Sequence, residues 1–138
     1  MLDAIYLSPD RCNEREQIIF NRDYDSENYK YGGAASFEHI DVATAKSLIK
    51  LGYVDPDDSQ NGSPTAQEFV DYCDDGTDRW YLHGYVISAA RSDCRVTFEG
   101  IGSKDPLDSE SALQFVKDFR YADELIADSE QPAWCWYD

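Results

Sequence analysis

Basic residues are scarce in this chain: twelve Lys and Arg stand against twenty-eight Asp and Glu in 138 residues, a formal charge of −16. A field of that sign repels nucleic acid and anionic lipid and attracts basic proteins and cations, so a direct nucleic-acid reader and a membrane-surface protein are both disfavoured. Histidine is scarcer still, with only His39 and His83. The first precedes a helix in a loop-like stretch, and the second lies in an aromatic strand, where a His is more often packed than catalytic. No G-x-S-x-G context sets Ser36, Ser88 or a cysteine beside either of them. Cys12, Cys73, Cys94 and Cys135 include no C-x-x-C pair, which removes support for zinc and leaves thiols or a disulfide, Cys94 and Cys135 both falling on expected strands. Long apolar runs are missing, and none approaches the length that spans a bilayer. Met1 to Leu7 is too short for an export leader and contains Asp3, and a cytoplasmic location is expected.

Apolar and aromatic residues are not lacking. The chain is 42% hydrophobic with three Trp, ten Tyr and six Phe, enough to fold despite its charge. Its length suits one core, and a single α+β domain over residues 1–138 is expected, with an antiparallel sheet of three to five strands packed by two or three helices. Residues 2–7 read as a strand closed by Ser8-Pro9, and residues 16–20 as a strand or one helical turn. The polar, tyrosine-rich stretch from Asn21 to Ser36 reads as a loop. Asp41 caps a helix with Val42, Ala45, Leu48 and Ile49 on one face, ended by Lys50 and Gly52. A second helix is expected from Ser63-Pro64 to about Cys73.

Residues 79–88 and 94–101 read as a β-hairpin, with Trp80, Leu82, Val86, Val96 and Phe98 buried and Arg95, Thr97 and Glu99 on a wet face. A long helix capped by Asp108 is expected to carry Ala112, Phe115, Val116, Phe119, Ala122 and Ile126 inward. After Pro132, Ala-Trp-Cys-Trp-Tyr reads as an edge strand.

The carboxylates are most telling where they oppose local stability, because negative charge at a helix C-terminus is unfavourable. Asp74, Asp75 and Asp78 follow the second helix, and Asp123, Glu124 and Asp128 end the long one. Together with Glu68, Asp71 and Asp118 they form the expected partner-binding set. Side chains three or four apart on a helix sit at a spacing comparable to adjacent DNA charges, so Glu68, Asp71 and Asp75, or Asp71 with Asp74, imitate a short row of phosphates. In charge and size the chain is similar to the small acidic DNA-mimic proteins of phages and mobile elements, such as anti-restriction and anti-CRISPR proteins. That resemblance carries no individual residue over.

The expected function is therefore a non-enzymatic acidic binding protein that engages a basic, nucleic-acid-binding protein, with no cofactor and no membrane partner. A calcium module competes with it. Counted from Asp57, the segment to Glu68 resembles an EF-hand loop, with Asp57, Ser59 and Asn61 as ligands, the Ser63 carbonyl, bidentate Glu68, and Gly62 at the turn. It departs from that pattern at Pro64, and Gly52 and Pro56 break the entering helix. The ordinary reading is a connector with a helix cap. The same residues also admit a small enzyme, a stacking platform of Tyr81, Tyr85 and Arg95, and acidity that serves only solubility or a high-salt habitat.

Overall fold

The computed structural model describes residues 9–21, 32–59, 62–88, 90–91 and 93–137, with Pro9 and Asp10 as backbone only. Helix α1 spans Pro9–Phe20. Proline favours the first helical position, so Pro9 opens the helix, and residues 16–20 are its last turns. The strand expected over 2–7 and most of the loop after Asn21 lie outside the described residues. Strand β1, Ala34–Ile40, takes in the end of that expected loop and also His39.

Helix α2, Val42–Lys50, starts where Asp41 Oδ1 accepts the Thr44 N–H at 2.8 Å. Gly52 ends it at φ 84°, a left-handed turn that lets the Tyr53 N–H donate back to the Leu48 carbonyl at 2.9 Å, as glycine does at helix ends. Helix α3, Ala66–Cys73, begins two residues later than Ser63-Pro64 suggests. Thr65 is its cap. The Thr65 hydroxyl accepts the Glu68 N–H at 3.1 Å, and the Glu68 carboxylate accepts the Thr65 N–H at 3.0 Å, a reciprocal capping box.

Strands β2, Trp80–Ile87, and β3, Val96–Ser103, form the expected hairpin. Helix α4, Ser109–Asp118, is capped by Asp108 but stops well short of Ile126. Residues Glu124–Ile126 form strand β4, which pairs with β5, Trp134–Trp136. Sheet pairing of Leu125 with Cys135 thus overrides the helical spacing of this segment. Val116, expected inward, is 37% exposed, and β5 is an interior strand rather than an edge.

The sheet is antiparallel in the order β1-β2-β3-β5-β4. Its inner face carries Trp80, Leu82, Val86, Val96, Phe98, Ile101 and Cys135 against Leu48, Phe69, Val70, Phe115 and Phe119, all buried. Trp80 stacks on Phe115 with centroids 5.6 Å apart and planes 12° from parallel. Each such side chain contributes about 1.5–3 kcal/mol by leaving water. None of the four cysteines is in a disulfide, so no bridge joins Cys94 to Cys135. Among the described residues, no helix is long and apolar enough to cross a membrane.

Candidate functional site: an acidic aromatic groove

The helices cover one face of the sheet. Alternation along the strands sends Tyr81 and His83 of β2, Trp134 and Trp136 of β5, and Glu124 and Ile126 of β4 to the other face. There they line a groove of about 520 Å³ together with Ser36, Glu38, Glu99 and Pro132, Tyr81 belonging to the adjoining cleft. That volume lies within the roughly 300–1,000 Å³ of small-ligand sites.

Two bulges bring carboxylates to it. Between His83↔Gly100 and Gly84↔Phe98, β3 carries one extra residue, Glu99. Between Phe37↔Gly84 and Ile40↔Leu82, β1 also carries one more residue than its partner, in the stretch of Glu38 and His39. Bulges re-aim side chains and recur at binding sites. The Glu99 carboxylate accepts the Trp136 indole N–H at 2.8 Å, which fixes one wall. His39, at φ 61°, occupies a region uncommon for a residue with a Cβ. Its ring packs on Tyr81 at 4.7 Å, so the strained residue lines the adjoining cleft.

The floor is set by two glycines. A Cβ on Gly100 would collide with the Cys135 carbonyl oxygen and lie 2.8 Å from two atoms of the His83 ring, and one on Gly102 would lie 3.2 Å from the Trp134 ring. Glycine here lets His83 and Trp134 settle on the sheet. Their rings are stacked, and the His83 Nε2–H donates to the Cys135 carbonyl at 2.8 Å. Burial pushes the His83 pKa down to about 4, against the pull of hydrogen bonds to the Cys135 and Ile101 backbone. The imidazole is therefore neutral at pH 7, and its Nε2 is a committed donor.

Among the described residues lining the larger groove there is no Lys or Arg, while Glu38, Glu99 and Glu124 all line it. The smaller cleft beside it, about 240 Å³, contains Lys104. That ammonium is paired with Asp78 Oδ1 at 3.1 Å and lies 5.2 Å from the Tyr81 ring centroid.

Of the carboxylates singled out from the sequence, Glu124 alone lines the groove. The structure joins α3 and α4 at their C-terminal ends, where the Tyr72 hydroxyl donates to Asp118 Oδ2 at 2.9 Å, so Asp118 belongs with the Asp71–Asp78 group. The structure gives several of these acids local partners. Asp71 accepts from Gln67, and Asp74 pairs with Lys46. Asp75 accepts the Thr77 N–H at 3.0 Å and the Trp80 indole N–H at 2.9 Å. Burial works against its charge, but hydrogen bonds from Thr77 and Trp80 outweigh that and hold its pKa below the ordinary value. Asp123 and Glu124 are not at a helix end: the Asp123 N–H donates to the Trp136 carbonyl at 2.9 Å. Asp128 caps the turn that follows β4, accepting the Glu130 and Gln131 N–H groups.

For the loop from Asp57 to Glu68, one oxygen of Glu68 is engaged by the Thr65 N–H, whereas bidentate coordination would need both. The Asp57 N–H donates to Asp55, and Asn61 lies outside the described residues. No three His, Cys, Asp or Glu side chains among the described residues gather as a metal site. In the Tyr81, Tyr85 and Arg95 set, the Arg95 guanidinium is held by the Tyr85 hydroxyl at 2.9 Å and Thr97 Oγ1 at 3.2 Å. Thr97, expected on a wet face, is buried.

Glu38, Glu99 and the Trp134/Trp136 pair are the site residues that sequence reasoning misses. Trp-Cys-Trp at strand spacing is the signal for the indoles. The bulges have no sequence signature. The chain matches no protein-family model, no curated protein and no solved structure.

Proposed function

We propose that this chain is an acidic binding protein that engages a basic protein, of a kind that itself binds nucleic acid, and that it acts in the cytoplasm, where its thiols stay reduced. The supporting observation is the open face of the sheet: two half-buried indoles and three glutamates share one groove, and none of its described lining residues is Lys or Arg. Indole faces and carboxylates both attract cations, and the whole-chain charge of −16 steers basic partners toward them. Asp71, Asp74 and Asp118 at the helix ends add a second anionic surface.

Calorimetric titration with a Lys/Arg-rich 20-residue peptide tests this reading. Binding at 50 mM salt that weakens sharply by 150 mM, and that duplex DNA competes away by sequestering the peptide, is the expected result. No heat at low salt, or equal binding of an acidic peptide, overturns it and leaves the charge as a solubility or habitat trait.

A further inference from the structure

We infer that the groove between β1 and β4 receives an arginine side chain from an extended segment of the basic partner, in preference to lysine. The inference rests on the basic-partner reading and narrows it to one chemistry. The walls are flat: Trp134 is already stacked by His83 at 3.8 Å and 6° from parallel, and Trp136, two residues on, is oriented by its bond to Glu99. A guanidinium is planar, weakly hydrated and stacks on aromatic faces, whereas an ammonium is compact and strongly hydrated. The groove also offers carboxylates from three strands, Glu38 of β1, Glu99 of β3 and Glu124 of β4. One oxygen of Glu99 is held by the Trp136 N–H, so it is Glu38 and Glu124 that a forked donor engages with two parallel hydrogen bonds, which a point charge does not.

Charge complementarity excludes an anionic occupant. His83 is buried and neutral, and among the described residues Lys104, in the adjoining cleft, is paired with Asp78. A phosphate or nucleotide would therefore meet three carboxylates with no compensating cation in the described lining. A second copy of the chain, itself strongly acidic, is likewise repelled.

The test uses the full chain and two defined probes, hexa-arginine and hexa-lysine peptides, with tryptophan fluorescence and calorimetry as readouts. The parent should bind the arginine peptide at least 5-fold more tightly than the lysine peptide. The Glu99→Gln/Glu124→Gln variant should weaken arginine binding at least 10-fold and erase the preference. Gln at position 99 retains an acceptor for the Trp136 N–H, and an unchanged melting temperature verifies the fold. Equal affinity for the two peptides in the parent, or full preference in the double variant, overturns the inference. If both peptides bind equally, the double variant is unaffected and Asp71→Asn/Asp74→Asn abolishes binding, the groove assignment falls while the basic-partner reading stands. If neither peptide binds at low salt, both fall.

Discussion

His83 and Trp134 lie face to face, ring centroids 3.8 Å apart and planes 6° from parallel, from the two strands β2 and β5 that flank β3, where they pair with Gly100 and Gly102. The contact is possible because β3 presents Gly100 and Gly102 beneath it, and it holds the buried His83 ring flat on the sheet.

The depressed His83 pKa has a definite sign in stability. The folded value of about 4 lies below the ordinary 6.5, so between these limits the unfolded chain binds the proton first. Stability is then fully present above pH 6.5, falls as pH drops through that window, and levels off below pH 4. The whole effect is about 3 kcal/mol, at about 1.4 kcal/mol per pK unit. Denaturant unfolding from pH 7 to 4 should give a flatter profile for His83→Phe than for the parent, even though the variant is less stable at neutral pH. Parallel profiles would contradict this.

Gly100→Ala should destabilise by about 2 kcal/mol or more, because the added methyl meets backbone at the β3–β5 ladder and cannot be relieved by a side-chain rotation. It should also disturb the near-ultraviolet circular dichroism of the indoles. A loss below about 0.5 kcal/mol would mean that β5 is not held against Gly100.

Asp75→Ala and Asp71→Ala separate structural from surface acids. Asp75 accepts from the indole of Trp80, itself 2% exposed, and its loss should cost about 1–2 kcal/mol. Asp71 is exposed and accepts from the amide of Gln67, one turn earlier on the same helix, so its change should stay within about 0.5 kcal/mol. Comparable losses at both would show that the helix-end carboxylates act alike.

At the start of α3, Thr65→Ala removes half of the capping box and should cost about 1 kcal/mol. Glu68→Gln should be nearly silent, since an amide oxygen also accepts the Thr65 N–H. A Glu68→Gln loss as large as that of Thr65→Ala would point to a role for the second carboxylate oxygen and reopen the calcium reading of the loop.

The architecture is legible where one physical rule dominates. Asp41 and Asp108 read as caps and are caps, and the aromatic runs around Leu82 and Phe98 read as a hairpin. Where two rules compete, the local pattern points the wrong way. Ile126 fits a helical stripe, yet the sheet needs an edge, and pairing with Trp134 decides the matter. The groove is the least legible part, because Glu38 and Glu99 reach it through bulges that depend on pairing between distant strands. Glu124 stands out in the sequence, but as a helix-end charge rather than as a wall of the open face.

The central claim is that basic ligands enter at Trp134 and Trp136. Nuclear magnetic resonance of the three indole N–H signals during titration with hexa-arginine tests it most directly. The signals of Trp134 and Trp136 should move with a common saturation curve, while that of Trp80, bonded to Asp75 on the helix side, stays in place. Saturable binding that leaves the Trp134 and Trp136 signals unmoved would contradict the account.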